Sequence, residues 1–218
     1  MTRTNKAWWA VGLAGLTTLA GCAAFSPTAA LDARMAEMMK TSFRDQGIAK
    51  VDRLDQDTAN DACSKAEGGE LPAALAKQVE TENLKTVKLP ADGRFLGDWQ
   101  RGERLAQSGR GMTWSDASAA PAANGGNCYN CHKISEAEIS YGTIGPSLHQ
   151  YGKLRGVTDP ASPASRAIVE YTWGKLYNAR AYNACSSMPR FGHAGVLNEA
   201  QLKDLMALLL DPKSPVNR

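Results

Sequence analysis

Five residues constrain this chain more than any others: Cys128-Tyr129-Asn130-Cys131-His132. The CxxCH spacing is the attachment signature of c-type haem. Two thiols three positions apart add to the two vinyl groups along one haem edge. The histidine that follows is then placed under the ring as an iron ligand. A chain with this motif must fold around a flat, mostly apolar group. Other chemistry with paired cysteines fits less well. A thioredoxin-like CxxC sits beside a βαβ unit, and no such alternation surrounds this one. A structural zinc site needs a second ligand pair, yet the remaining candidates Cys63, Cys185, His149 and His193 are scattered. One CxxCH predicts one covalent haem c.

The sixth iron position must be filled from elsewhere or stay open. Met35, Met38 and Met39 lie far upstream, Met112 precedes the motif, and Met206 falls on the apolar stripe of the last helix. That leaves Met188, in Ser186-Ser187-Met188-Pro189-Arg190, 56 residues after His132. Pro189 holds the residue before it in extended backbone, which suits a loop crossing the open side of a ring. His149, His193 and an empty site are the rivals. Ligation by His132 and Met188 raises the potential and leaves no open coordination position, which favours electron transfer over oxygen chemistry. The Gly145-Pro146 pair offers a carbonyl to the His132 Nδ1–H. Trp114, Tyr151, Trp173 and Tyr177 are candidates to pack on the ring, or ordinary core aromatics. Cys63 and Cys185 remain; in an oxidising compartment they read as a disulfide, the alternatives being free thiols or bonds to a partner chain.

The chain's start bears on that compartment. Arg3 and Lys6 precede an apolar run from Ala7 to Leu19, followed by small residues. This is an export signal, too short for a comfortable transmembrane span. Leu19-Ala20-Gly21-Cys22 resembles a bacterial lipobox, in which the cysteine is lipidated and the chain is cut before it. A periplasmic protein with a lipid anchor on Cys22 follows. The alternative is a soluble periplasmic protein cut further on. The 218 residues carry a net charge of +3, which falls to +1 once Arg3 and Lys6 leave with residues 1–21. Nothing in that charge argues for nucleic acid. At 43% hydrophobic and 22% charged residues the composition is that of a globular domain.

Organisation follows from periodicity and breakers. Met35, Met38, Met39 and Phe43 recur at helical spacing within 31–48, a stripe that reads as plastic core or docking face rather than a copper(I) site. Residues 52–69 are polar and broken. A helix is expected over 73–84, a short extended piece over 87–89, and a turn at 89–93. Further helices are expected over 97–107 and from Ser162-Pro163 to about 176–179, with a loop over 109–127. The last helix opens at Asn198 with Gln201 completing a capping box, and Leu202, Leu205, Met206 and Leu209 form its stripe. The expected fold is all-α: a class I cytochrome c-like domain over 93–218, preceded by a signal peptide (1–21) and a tether with a mostly helical extension (22–92).

With these residues in place, the chain resembles the SoxX family, the monohaem subunits of the SoxAX cytochromes of bacterial thiosulfate oxidation. The likeness runs from about Cys63 to the C-terminus. It rests on Gly97-Asp98-Trp99, Gly102-Glu103, Ala106-Gln107-Ser108-Gly109-Arg110-Gly111 and Gly125-Gly126-Asn127 leading into the CxxCH. It continues in Gly145-Pro146-Ser147-Leu148, Tyr151-Gly152 and Met188-Pro189-Arg190-Phe191-Gly192. The long front section and the lipobox depart from short, soluble family members. The resemblance implies a heterodimer with a SoxA-like cytochrome subunit. That complex couples thiosulfate oxidatively to a cysteine of the SoxYZ carrier, an L-cysteine S-thiosulfotransferase reaction. It also implies that this chain is the non-catalytic relay, passing electrons to a small cytochrome c through a haem on Cys128, Cys131, His132 and Met188. A free-standing lipid-tethered electron carrier is the alternative. A haem-based sensor in which Met188 is displaced is a third reading.

Overall fold

The computed structural model describes residues 27–66 and 69–218. The signal segment and Cys22 lie outside them. The described residues form an all-α structure: α1 (Pro27–Ser42), α2 (Thr58–Lys65), α3 (Ala73–Leu84), α4 (Trp99–Gln107), α5 (Tyr151–Leu154), α6 (Arg166–Tyr177) and α7 (Glu199–Leu210), joined by loops and short 3-10 turns. Two compact units divide between Phe43 and Arg44. The first contains α1, which ends at Ser42 instead of continuing to 48. Beyond it, Gln46 and Ala49 pair across a tight turn whose Gly47 has a φ of +54°, a conformation glycine adopts without penalty.

The second unit is built on α7. The Asn198 side chain accepts from Gln201 N at 2.9 Å, and Gln201 Oε1 accepts from Asn198 N at 2.9 Å, so two orphan donors of the first turn are satisfied reciprocally. Past the expected stripe of Leu202, Leu205, Met206 and Leu209, Leu208 and Leu210 are buried too. The helix is central, touched by α4, α5, α6 and the C-terminal turn, so past its exposed first turn every residue from 204 to 210 is buried. Helix α4 crosses α7 where Gly102 lets the backbones meet: a Cβ there would stand 2.2 Å from the Asp204 carbonyl oxygen. Beside the crossing the buried Asp204 carboxylate accepts from Asp98 N and from Arg101 Nε and Nη2, at 2.8–2.9 Å. Trp173 of α6 meets Phe95 edge-on at 5.6 Å and donates its Nε1–H to the Lys88 carbonyl. It is a core residue.

Residues 44–92 belong to the same unit. The Asn178 amide donates to Asn83 Oδ1 and Thr86 Oγ1, both at 2.9 Å, and so ties α3 to the end of α6. Ala59 of α2, Val79 of α3 and Ala184 form a small apolar cluster. Helix α2 sits inside the stretch read as polar and broken. In its sequence TANDACSK only the small residues Ala59, Ala62 and Cys63 recur at helical spacing and Ala59 alone is buried, but Asp57 caps it by accepting from Asn60 N at 2.7 Å. Residues 87–89 join no strand, and the segment opening at Ser162-Pro163 runs as a 3-10 turn before α6 begins at Arg166.

Candidate functional site

A cavity of about 680 Å³ opens in the second unit, and Cys128, Cys131, His132 and Met188 all line it. Its wall is mainly apolar, with Ile134, Leu148, Tyr151, Leu176, Phe191, Leu205, Leu208 and Leu209; among the described residues Arg155 and Lys175 are the lysine and arginine side chains that line it. That size and lining are those of a site for a substantial, largely apolar ligand.

The CxxCH segment is positioned by backbone. Asn127, in the left-handed region at a φ of +50°, turns the chain into a 3-10 turn over Cys128–Asn130. Gly126 N bonds Leu105 O at the end of α4, and Gly125 lies against it so closely that a Cβ would stand 1.9 Å from Ser108 O. Downstream, Gly142 N, Gly145 N and Leu148 N donate in turn to Tyr129 O, Cys131 O and Lys133 O, at 2.7–2.8 Å. The 142–148 loop is thereby strapped along the motif. The strap carries Gly145 against the imidazole, where a Cβ would lie 2.2 Å from His132 Cε1. It also brings the Pro146 carbonyl to His132 Nδ1 at 2.7 Å. A carbonyl only accepts, so the ring proton sits on Nδ1 and the lone pair is on Nε2, the state a metal ligand needs.

Cys128 and Cys131 are free thiols. Burial, then the neighbouring Cys131, pushes the Cys128 thiol up to about 12, so it is protonated at neutral pH. Between the two cysteines Tyr129 points away to donate its hydroxyl to Glu103 Oε1 at 3.0 Å, and burial together with that carboxylate raises its pKa. Among the sixth-ligand candidates the cavity separates Met188 from its rivals. His149 directs Nε2 to Glu136 Oε1 at 3.5 Å, and neither it nor His193 lines the cavity. Burial, then Arg190, lowers the pKa of His193. Of the aromatics singled out by sequence, Tyr151 lines the cavity; Trp114, Trp173 and Tyr177 do not. Sequence reasoning missed Tyr171, Lys175 and Arg155. Tyr171 and Lys175 lie one turn apart on α6, so a helical projection from Thr172 and Leu176 would have found them.

Cys63 and Cys185 are joined by a disulfide, with 5.6 Å between the Cα atoms, and Cys185 itself lines the cavity. Of the seven residues expected to carry haem, lipid or the disulfide, Cys128, Cys131, His132, Cys185 and Met188 line one cavity, and a sixth, Cys63, is bonded to Cys185. The seventh, Cys22, is outside the described residues.

No family model matches the chain. Over 167 residues it is 35% identical to an uncharacterized lipoprotein of Aquifex aeolicus (strain VF5), a match covering 75% of this chain and 73% of that protein. The chain belongs to that protein's family. Among the described residues no helix is long and apolar enough to cross a membrane.

Proposed function

We propose that this chain is an exported, lipid-anchored electron-transfer protein with one covalent haem c, acting as the relay subunit of a SoxAX-type complex. The observation that carries the reading is the convergence of Cys128, Cys131, His132 and Met188 on one apolar cavity, with His132 already oriented by Pro146. The residues fit the group. Two thiols stand ready for attachment, a thioether and an imidazole supply the usual ligand pair of low-spin cytochromes, and Gly145 leaves a cradle that a Cβ would fill. Haem c, when bound, supplies one-electron exchange. The chain's own part is to hold the imidazole in one tautomer, exclude water with the leucines of α7, and offer Arg155 and Lys175 to acidic groups. Cys22 would carry the lipid, a reading supported by the name of the Aquifex relative.

Within this reading the chain accepts electrons released when a SoxA-like subunit couples thiosulfate to the SoxYZ carrier, and hands them to a small cytochrome c. It performs no coupling itself. The test is native purification through this chain, with haem counted per polypeptide and co-purifying chains identified. One haem, a stoichiometric SoxA-like partner and thiosulfate-dependent reduction in the presence of carrier are expected. A lone monohaem protein, inert to thiosulfate even with a SoxA-like subunit supplied, would overturn the relay and leave a lipid-tethered electron carrier.

A further inference from the structure

The loop that brings Met188 to the cavity has few holds of its own. Met188 N bonds the Ser186 hydroxyl at 3.3 Å, and Ser186 N bonds Asn183 O at 3.0 Å; both are local. The distant holds come from Tyr177, whose carbonyl accepts from Gly192 N and His193 N at 3.0–3.1 Å, and from α2. Three residues before Met188, Cys185 is bonded to Cys63 on that helix. Two residues after it, the Arg190 guanidinium pairs with the Asp57 carboxylate, the cap of the same helix, at 2.5 Å. Asp57 is fixed in turn by Arg180 at 3.5 Å and by the amide of Asn60, whose side chain accepts from Arg180. Ala184 adds an apolar contact with Ala59 of α2. The loop is thus held on both sides of Met188 by one short helix more than 120 residues away in sequence.

We propose that α2 is a brace for the sixth ligand, in which Cys63 and Asp57 are positioning residues that set where the Met188 thioether stands. The inference rests on the reading of Met188 as an iron ligand and gives the segment before the cytochrome domain a task. A thioether is a weak ligand on a mobile side chain, so its occupancy depends on how narrowly the loop confines it. One anchor leaves the loop free to pivot; two, on either side of the ligand, do not. Helix α2 has little else to do: it buries a single side chain.

The experiment compares the haem-loaded parent with Asp57→Asn, with Cys63→Ser/Cys185→Ser, and with the three substitutions combined. Asparagine keeps the helix cap and removes only the charge facing Arg180 and Arg190. Asp61→Asn, which loses an exposed pair with Lys65 on the same helix, is the control. The readouts are the methionine–iron(III) charge-transfer band, carbon monoxide binding by the reduced protein, and amide exchange over residues 186–192. The expected result is a graded loss of the band, at least a tenfold rise in the carbon monoxide-binding fraction in the combined variant, and faster exchange confined to that loop. Far-ultraviolet helicity and the control should not change. A combined variant that keeps the band, excludes carbon monoxide and exchanges like the parent would overturn the brace. A parent without the band would overturn Met188 as ligand; loop exchange then decides alone, and exchange unchanged in the variants would overturn the brace as well.

Discussion

Two loops reach the cavity from distant parts of the chain, and they are held by different means. The His132 loop is secured by its own neighbourhood: three amides of the 142–148 strap bond carbonyls of residues 129–133, and Pro146 orients the ring. The Met188 loop has two amides on the Tyr177 carbonyl at its far end, and is otherwise secured by a covalent bond and an ion pair from a helix that precedes it by over 120 residues. The first arrangement forms wherever the local sequence folds. The second exists only when a remote segment is in place, so the two loops should respond differently to the same perturbation.

The largest effect should come from removing the covalent hold. Opening a 122-residue loop in Cys63→Ser/Cys185→Ser should cost about 5 kcal/mol of stability on the chain-entropy account, read as a lower denaturant midpoint. Exchange should rise around 186–192 and stay slow over 142–148. Next is a break on the other side. Gly145→Ala forces a methyl into the space of the His132 ring and should cost about 1–3 kcal/mol. It should also shift the His132 ring resonances while Met188 resonances hold still. Asp57→Asn is smaller, about 0.5–1 kcal/mol for a half-exposed pair, measured against the parent by denaturation at neutral pH.

The smallest effect is a pH dependence. Burial works to raise the Asp57 pKa, but the Asn60 amide and the Arg190 guanidinium outweigh it and hold the carboxyl below its ordinary 3.8. A depressed carboxyl contributes stability that is fully present above its unfolded value and lost as pH falls through its folded one. An acid titration of the denaturant midpoint should therefore show the parent and Asp57→Asn converging below the ordinary carboxylate range. If they stay parallel down to about pH 2, Asp57 does not work through its charge.

The same contrast explains what could be read from sequence. Helices α3 and α7 were legible because their ends are local: Pro72 opens one, and Asn198 with Gln201 opens the other. The Pro146 carbonyl near His132 was legible for the same reason, since a loop returning within 14 residues has few places to go. Cys63 and Cys185 could be paired by counting, with the motif cysteines set aside. Helix α2 could not be seen. Its periodic residues, Ala59, Ala62 and Cys63, are small, and apart from Val79 of α3 what holds it are the disulfide, Arg180, Arg190 and Ala184, supplied by a segment more than a hundred residues downstream. Of the join between residues 44–92 and the rest, the Cys63–Cys185 bond was legible, whereas the Asn178 amide reaching Asn83 and Thr86 and the Trp173 indole reaching Lys88 were hidden likewise. The burial of Leu208 and Leu210 also exceeds a one-sided stripe, since it depends on how many neighbours surround α7.

The order of the cysteines along the chain carries a consequence for biogenesis. After Cys22 the next cysteine made is Cys63, and Cys128 and Cys131 follow it well before Cys185. In any compartment that oxidises thiols, the first partners Cys63 meets are therefore the wrong ones. A chain that closes a Cys63–Cys128 or Cys63–Cys131 bond loses one of the two CxxCH thiols and strands Cys185. Correct maturation then requires either that the motif thiols be consumed before Cys63 is oxidised, or that a disulfide isomerase reopen the early bond. The yield of mature protein should accordingly depend on the timing of two thiol chemistries in one chain.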